Sequence, residues 1–260
     1  MKTGDWGGGF VKEQRHELIL GELARRGAVS VAALAQRLGV SEATIRRDLD
    51  ELARLGKVHR THGGALSADP REELPLNLKA TSYAAEKRRI GLAAAALIQP
   101  GQVVGCSGGT TVAHVATALR GKRVVVVTNA LNIALELATS EEAEVIVTGG
   151  TLRGRSLELV GHVAERTFRE LYVDVAVIGV DGISLEQGLT TYHLSEAQTN
   201  RVLMEQARQV WVVADHSKVE KVTPAYIGPL SRVSRFITDT DAPAPFLDEL
   251  RRRGIDVVCA

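Results

Sequence analysis

The sequence predicts an α/β protein with a small helical domain at its amino end and a larger domain built on a doubly wound, mainly parallel sheet. Near the amino end, apolar residues recur at helical spacing in short segments separated by Gly or Ser. Further along, continuous aliphatic runs alternate with helical segments, as in parallel sheets covered on both faces. We expect a loose tail over residues 1–11, a first domain over 12–66, a linker over 67–80 and a second domain over 81–260.

Composition narrows the class of protein. Of the 260 residues, 45% are hydrophobic but only 4% are aromatic, which predicts an aliphatic core. A net charge of +1 means that any affinity for nucleic acid must come from a local basic surface. Two cysteines are too few for a disulfide framework, and no apolar run is long enough to span a bilayer. We expect a cytoplasmic protein with no signal peptide and no membrane segment.

The first domain is predicted to begin with a helix over residues 12–26. On this helix Leu18, Ile19 and Leu23 are expected to face the core, because they are apolar residues near helical spacing. Gly27 follows at a position where helices commonly end.

Two further helices with a tight turn between them are predicted next. Ser30 and Ser41 are N-cap residues, whose hydroxyls can accept bonds from first-turn N–H groups. Leu34 and Leu38 lie on one face of the second helix, and Gly39 makes the turn into the third. Helix, glycine turn and helix form the helix-turn-helix pattern of DNA-binding domains.

The third helix carries a polar face that suits a DNA groove. Ile45, Leu49 and Leu52 recur at spacings of four and three, and so share the buried face. Small, hydroxyl and arginine side chains elsewhere on the helix can approach base edges. The residues predicted to contact DNA from this helix and its cap are Ser41, Ala43, Thr44, Arg46, Arg47 and Arg54.

A basic segment follows the third helix and is predicted to form a wing. No acidic residue occurs from Leu52 to Ala68, and two glycines at 63–64 close the segment. A metal site is not expected, because two histidines spaced three apart have too few partner ligands. The residues predicted to contact DNA from the wing are Lys57, His59, Arg60 and His62.

An ordinary amphipathic surface helix is the alternative interpretation. In it, Arg46 and Arg47 pair with Asp48, Asp50 and Glu51, since most charged helical faces are merely solvated. The helix-turn-helix context favours DNA binding.

The run SVAALAQRLGVSEATIRRDLDELARLGKVHRTHGGA, over residues 30–65, resembles the N-terminal domain of the DeoR family of bacterial transcription regulators. The TIRRDL core followed by the HGGA of the wing carries the resemblance. It implies a winged helix-turn-helix that binds double-stranded operator DNA.

The second domain is predicted from alternating helices and strands. Pro70 and Pro75 lie among mixed charges, so no helix is expected in the linker. A long alanine-rich helix then spans residues 82–98. Later helices are expected over 112–119, near 131–139, after His193 and around 245–253. The strands are VVGC, VVVV, EVIV, VDVAVIG, VWVV, RFIT and IDVVC.

Polar residues follow several of these strands, at the sheet edge where ligands of parallel sheets bind. The loop from Ser107 to Thr111 lies between a strand and a helix, which suits a phosphate, although it is neither a P-loop nor a dinucleotide fingerprint. Asp181 could accept bonds from sugar hydroxyls, and Lys218 could neutralise a phosphate. The alternatives are a tight turn capped by Thr110, a simple turn at Asp181 and a capping role for Asp215. Recurrence at one edge favours a pocket for an anionic ligand.

The second domain also resembles the DeoR family. The segments GGTTV, TNALN, TGGTLR with Gly161, GVDGI and VADHSK are similar to its C-terminal sensor domain, in order. The resemblance implies a fold similar to ribose-phosphate isomerases and a phosphorylated sugar or related metabolite as effector. The chain departs from the family at Ser107, where many members carry an acidic residue. The implied effector-binding residues are Ser107, Gly108, Gly109, Thr110, Thr111, Asn129, Gly150, Arg153, Asp181, Gly182 and Lys218.

These observations favour a regulator that binds operator DNA as a homo-oligomer, a dimer or tetramer, because helix-turn-helix modules read paired half-sites. No catalytic residue, cofactor or metal is expected, and repression is what the resemblance implies. The alternative is an enzyme similar to sugar-phosphate isomerases with an accessory DNA module, for which Asp181 or Glu196 could be the base. A weaker alternative is a protein-interaction adaptor.

Glu196 is compatible with a pocket-facing or a solvated position, and Cys106 is expected to be a small buried residue rather than a nucleophile.

Overall fold

The structure is a computed structural model that describes residues 12–26, 28–55, 57–61, 63–67 and 73–260. It divides after Leu78 into two compact units. The predicted tail over residues 1–11 and His62 lie outside the described residues. No helix in the described ranges is long and apolar enough to cross a membrane.

The first unit is a winged helix-turn-helix, as predicted. Its three strands form an antiparallel sheet in the order β1-β3-β2, and the β2–β3 hairpin is the wing. The elements are α1 (Lys12–Arg26), β1 (Ala28–Ser30), α2 (Val31–Leu38), α3 (Glu42–Arg54), β2 (Val58–Thr61) and β3 (Gly64–Ser67).

The core of this unit joins all three helices to the wing. Ile19 of α1 is fully buried, with Ile45, Leu49 and Val58, in one apolar cluster. The prediction that Leu18 faces this core is wrong, since its exposed fraction is 40%. Successive helical residues point about 100° apart, so the buried face centred on Ile19 leaves Leu18 at the margin.

Both predicted serine caps are confirmed. The Ser30 hydroxyl accepts a hydrogen bond from the N–H of Ala33 at 3.1 Å, and the Ser41 hydroxyl accepts one from Thr44 at 3.2 Å. Gly39 lies between these helices at φ 64°, a left-handed conformation that glycine adopts without strain. These local bonds fix where α3 begins and which face it exposes.

The linker prediction is wrong in part, because α4 spans Leu76–Thr81. Pro75 precedes this helix, and its carbonyl oxygen accepts a hydrogen bond from Leu78 at 3.0 Å. Proline has no N–H to lose at the start of a helix, so Pro75 starts this helix where it was expected to prevent one.

The second unit is a doubly wound α/β domain, as predicted. Its seven-stranded parallel sheet has the order β15-β14-β12-β9-β4-β5-β6. The helices are α5 (Ala84–Leu97), α6 (Thr110–Leu119), α7 (Leu131–Leu137), α8 (His162–Arg169), α9 (Leu194–Glu205) and α10 (Ala244–Arg252). The sheet strands are β4 (Val103–Cys106), β5 (Val124–Thr128), β6 (Ala143–Val147), β9 (Val173–Gly179), β12 (Ala207–Val213), β14 (Arg235–Thr238) and β15 (Asp256–Cys259).

Continuous apolar strands fill both faces of this sheet. In β9, Val175 and Val177 belong to one apolar cluster, whereas Ala176 and Ile178 belong to the other. Alternate residues of a strand point to opposite faces, so each cluster covers one face. Because both faces of these strands are buried, their sequences are continuous aliphatic runs, which made them predictable.

Two small antiparallel sheets were not predicted. They have the orders β7-β8 and β10-β11-β13. Their strands are only three or four residues long and several contain glycine, so they lack the aliphatic run that marks a buried strand. These strands are β7 (Thr151–Arg153), β8 (Glu158–Val160), β10 (Gly182–Ser184), β11 (Gly188–Thr191) and β13 (Ala225–Gly228).

Gly182→Ala should destabilise the second unit by about 1–3 kcal/mol. A Cβ atom at this position would lie 2.2 Å from the carbonyl oxygen of Lys221 and 2.6 Å from the hydroxyl of Thr190. Gly154→Ala is the matched control, since nothing lies within 4 Å of its Cβ. Thermal and denaturant unfolding of the two variants measure the difference, and equal stability would contradict the packing role of Gly182.

Candidate functional site

Two acidic residues of α3 hold this helix on α1. Arg15 donates two bonds to the buried Asp48 carboxylate, from Nε at 2.8 Å and from Nη2 at 3.0 Å. Lys12 donates to Glu51 at 2.7 Å. Both carboxylates are therefore bonded to the helix behind α3.

A third acidic residue holds α3 against the wing. Arg60 donates from Nε to Asp50 at 2.7 Å and from Nη1 to the carbonyl oxygen of Gly64 at 2.6 Å. Arg60 thus joins the helix to the wing hairpin, which gives this predicted DNA contact a structural role as well.

The alternative in which the α3 arginines pair with the later acids of their own helix is wrong. Asp48, Asp50 and Glu51 all bond to other elements, and Arg46 pairs with Glu42 instead, at 3.2 Å. Over the described residues, neither Arg47 nor Arg54 makes an ion pair. The exposed face of α3 therefore carries uncompensated positive charge.

The predicted DNA contacts lie on this face and on the wing. Thr44 is half-buried, with its hydroxyl 2.9 Å from that of Ser41, so both hydroxyls belong to the cap. The exposed members of the predicted set are Ser41, Ala43, Arg46, Arg47, Arg54, Lys57 and His59.

In the second unit, Asp181 lies at the centre of a cationic cluster at the sheet edge. Lys79 Nζ lies 3.0 and 3.2 Å from its two carboxylate oxygens, Lys218 Nζ lies at 3.7 Å, and the Thr191 hydroxyl lies at 3.1 Å. Burial alone would raise the pKa of Asp181, but the two lysines and these bonds hold it below its usual range. Asp181 is therefore an ionised, paired group and more than a turn residue.

Two further lysines enlarge this cluster. Lys221 donates to the Tyr192 hydroxyl at 3.0 Å. Lys87 is buried, donates to the carbonyl oxygen of Lys79 at 2.6 Å and lies 3.8 Å from Asp215. Burial lowers the pKa of Lys87 to about 8. Asp215 also caps the short turn that follows it, as its alternative role predicted, through the N–H of Ser217.

The loop after β4 is a helix start without a side-chain cap. Gly109 occupies the N-cap of α6 at φ 109°, so the alternative in which Thr110 caps this turn is wrong. The Ser107 hydroxyl is buried, accepting from the N–H of Gly179 at 2.9 Å and donating to the carbonyl oxygen of Gly108 at 3.1 Å. Ser107 therefore joins the ends of β4 and β9, and no side chain of a described residue bonds to the N-cap position of α6.

A buried carboxyl group lies against this loop. Glu158 accepts from the N–H of Gly108 at 3.1 Å, and the Asn129 amide nitrogen lies 3.4 Å away. Burial, together with a neighbouring Glu196 to which it is hydrogen-bonded, raises the pKa of Glu158 well above its usual range. Glu196 is itself buried and forms an ion pair with Arg153, which excludes its solvated alternative.

One polar network thus connects the loop to the lysines. Glu196 reaches the Thr191 hydroxyl at 3.3 Å, and that hydroxyl contacts Asp181. Asn129 also lines the network, and its buried side-chain oxygen accepts no hydrogen bond from any described residue. Gly150 has a conformational role, because it lies at φ 124°, whereas Gly182 has a packing role, because it lies close to the backbone of Lys221.

Sequence reasoning missed several members of this network. Lys79 falls in the predicted linker, and Glu158 lies in a strand of only three residues. Their partners are distant in sequence, so only the fold reveals them. The missed residues are Lys79, Lys87, Glu158, Thr191, Tyr192 and Lys221.

Three other features of the second unit are less suited to binding an anionic ligand. Cys106 is fully buried, as predicted, and burial raises the pKa of its thiol to about 12. Among the described residues, His216, Asp239 and Asp241 could supply metal ligands, but Asp239 already bonds to the His216 ring at 2.8 Å and to two backbone N–H groups. A groove of about 550 Å³ between α7 and β6 is lined by apolar side chains and does not suit an anion.

Two family models match this chain: a DeoR-like helix-turn-helix domain over residues 15–71 and a DeoR C-terminal sensor domain over residues 82–240. The chain belongs to the DeoR family of transcription regulators. The resemblance stated from the sequence is confirmed in both halves.

Named DeoR-type relatives match nearly the whole chain. It is 36% identical over 231 residues to the HTH-type transcriptional regulator GlpR of Haloferax volcanii, covering 88% of this chain and 90% of that protein. It is 32% identical over 245 residues to the glycerol-3-phosphate regulon repressor of Escherichia coli K12, covering 94% and 97%. Among solved structures, it is similar to ribose 5-phosphate isomerase A of Methanocaldococcus jannaschii, with TM-score 0.41 and 18% identity over 54% of this chain and 56% of that one.

Glu158→Gln should make the protein more stable relative to wild type as the pH rises from about 5 to 8. Because burial and Glu196 raise the pKa of Glu158 in the folded protein above the value of about 4.3 expected in the unfolded chain, this group lowers the stability of the fold as the pH rises. Glutamine cannot titrate and is free of that cost. Melting temperatures of the full chain across this range measure the trend, with Glu144→Gln, at an exposed position, as control. A difference that stays constant with pH would contradict the raised pKa.

Proposed function

We propose that this protein is a cytoplasmic repressor of carbohydrate-metabolism genes, whose binding to operator DNA is modulated by a phosphorylated sugar or a similar anionic metabolite. The observation that carries the proposal is that Arg47 and Arg54 are exposed on α3 without an ion pair to a described residue, in a chain that also holds a cluster of lysines around the buried Asp181. The relatives named as repressors, one of them of a glycerol-3-phosphate regulon, support it. A dimer or tetramer is proposed because helix-turn-helix modules read paired half-sites.

On the DNA side, we assign α3 to the major groove. Arg47 and Arg54 are exposed and make no ion pair with a described residue, so their guanidinium groups can donate two bonds to a guanine edge. Lys57 and His59 on the wing suit phosphate contacts, which position the domain. Arg60 and the Ser41–Thr44 cap support the geometry from behind.

Arg47→Ala should cost about 1–3 kcal/mol of binding to the operator and much less on random DNA, if Arg47 reads a base edge. Lys57→Ala should weaken binding to all sequences and reduce the slope of affinity against salt by about one. Arg166→Ala, at an exposed position in the second unit, is the control. Fluorescence anisotropy with operator and random duplexes at several salt concentrations measures all three. An equal loss on both duplexes would remove Arg47 from base reading.

On the effector side, we assign the phosphate to the amino end of α6 and the lysines. A helix N-terminus without a side-chain cap presents free N–H groups and favours anions. Lys218 and Lys87 would add positive charge there. The ionised Asp181 and the unpaired oxygen of Asn129 can accept bonds from sugar hydroxyls.

A screen of pentose and hexose phosphates should find a compound that raises the melting temperature of the second unit. At a ligand concentration of a hundred times the dissociation constant, the free energy of unfolding should rise by about 2.7 kcal/mol. Lys218→Ala should weaken that compound's binding about tenfold or more, because it removes a charge-assisted bond to phosphate. Lys57→Ala is the matched lysine control and should leave this affinity unchanged. A wild-type affinity in Lys218→Ala would exclude Lys218 from the site.

We propose no enzymatic activity. Asp181 is held by Lys79 and Lys218, and Glu196 by Arg153, so neither candidate base is a free acid–base group. The same phosphates, incubated with pure protein and followed by chromatography, should remain unconverted. Sustained turnover would replace the regulator proposal with the isomerase-like alternative.

A further inference from the structure

The side chain of Glu158 packs against Gly108, in the loop at which we place the effector phosphate. Its Oε1 atom accepts the Gly108 N–H at 3.1 Å. A Cβ atom on Gly108 would lie 2.2 Å from Glu158 Cδ and 2.6 Å from Oε1, so the carboxyl group fills the space that this glycine leaves. One amide of this loop that could bind an anion, that of Gly108, is therefore already bonded to an internal acid.

This internal acid has no cation of its own among its described contacts. Its hydrogen-bonding neighbours are Gly108, Asn129 and Glu196, and the nearby guanidinium of Arg153 is paired with Glu196. A neutral carboxylic acid satisfies this arrangement, since its carbonyl oxygen accepts from Gly108 while its O–H donates to Glu196. The Glu158 side chain is therefore held at the loop by hydrogen bonds and not by an ion pair with a described residue.

We propose that Glu158 determines which anions the sensor domain accepts, because a ligand reaches the Gly108 amide only by displacing the Glu158 carboxyl group. This inference rests on the proposed effector site. Inorganic phosphate can form few bonds outside this loop, so the free-energy cost of displacing Glu158 cancels most of its binding free energy. A phosphorylated sugar gains additional bonds at Asp181 and Asn129 and can offset the same cost. Glu158 thus selects phosphate esters of polyols over the free ion.

Glu158→Ala should bind inorganic phosphate about tenfold more tightly than wild type, since no internal hydrogen bond has to be broken. Glu158→Gln is the matched variant: its carbonyl oxygen can accept from Gly108 and its NH₂ group can donate to Glu196, so it should stay within about twofold of wild type. Glu158→Asp is one methylene shorter, withdraws the carboxyl group from Gly108 and should resemble Glu158→Ala. Titration calorimetry on the full chain at one pH measures these affinities, and Glu144→Ala controls for the loss of one charge.

The outcomes separate this inference from the function it rests on. Tighter phosphate binding by Glu158→Ala or Glu158→Asp, with Glu158→Gln like wild type, supports the inference even if no sugar phosphate alters operator binding, in which case only the effector assignment fails. Unchanged or weaker phosphate binding in both shortened variants, with wild-type circular dichroism, overturns it. If Glu158→Ala does not fold, Glu158→Asp alone decides. Equal tightening by Glu158→Gln also overturns the inference, because an occupied loop would then not exclude phosphate.

Discussion

The cost of burying charge controls the chemistry of both units. A carboxylate removed from water must be paired or must take up a proton. Asp181 and Glu158 lie in one connected network and are both buried, yet they take opposite solutions. Lys79 and Lys218 beside Asp181 hold its pKa below the usual range, whereas burial and the neighbouring Glu196 raise the pKa of Glu158 well above it. The network therefore has a cationic end and an acidic end, and a ligand with a charged and a neutral polar part can match both.

The same rule explains the surface of the recognition helix. Counting charges along α3 suggests a nearly balanced helix, because it contains four acidic residues and three arginines. The fold removes the acids from this balance: Asp48 is bonded to Arg15, Glu51 to Lys12 and Asp50 to Arg60. Each of these partners comes from another element, and the arginines that remain are those facing outward. Packing has thus produced a basic face from a helix of mixed charge.

The parts of this structure that sequence reasoning predicted are those in which a local pattern has one physical outcome. Serine before an apolar period caps a helix, and Ser30 and Ser41 do so. A continuous aliphatic run is buried on both faces, and β9 is. The failures occur where two local rules compete. Pro75 disfavours a helix before it but suits the start of one after it, and Leu18 is apolar but lies beside the buried face.

The candidate site was predictable only for residues at strand ends, since parallel strands bring those ends to one edge whatever the details of the fold. Asp181 and Lys218 were found in this way. Lys79 was not, because its partner Asp181 is 102 residues further along the chain and no period relates the two. Glu158 was missed for a similar reason. Its role follows from the small antiparallel sheet that places β8 against the loop, and three-residue strands leave almost no pattern in a sequence.

The two units also differ in how their electrostatics respond to salt. Arg47, Arg54 and Lys57 are exposed, so their attraction for a phosphate backbone is screened by counterions and falls as the salt concentration rises. The groups around Asp181 and Glu158 are buried or half-buried, where screening is weaker than at the surface. Ionic strength should therefore change DNA affinity strongly and effector affinity little. A ligand alters DNA binding only through its differential affinity for two arrangements of the protein. Measuring the DNA affinity and the effector affinity over the same salt range therefore separates the coupling between the two binding events from the surface electrostatics.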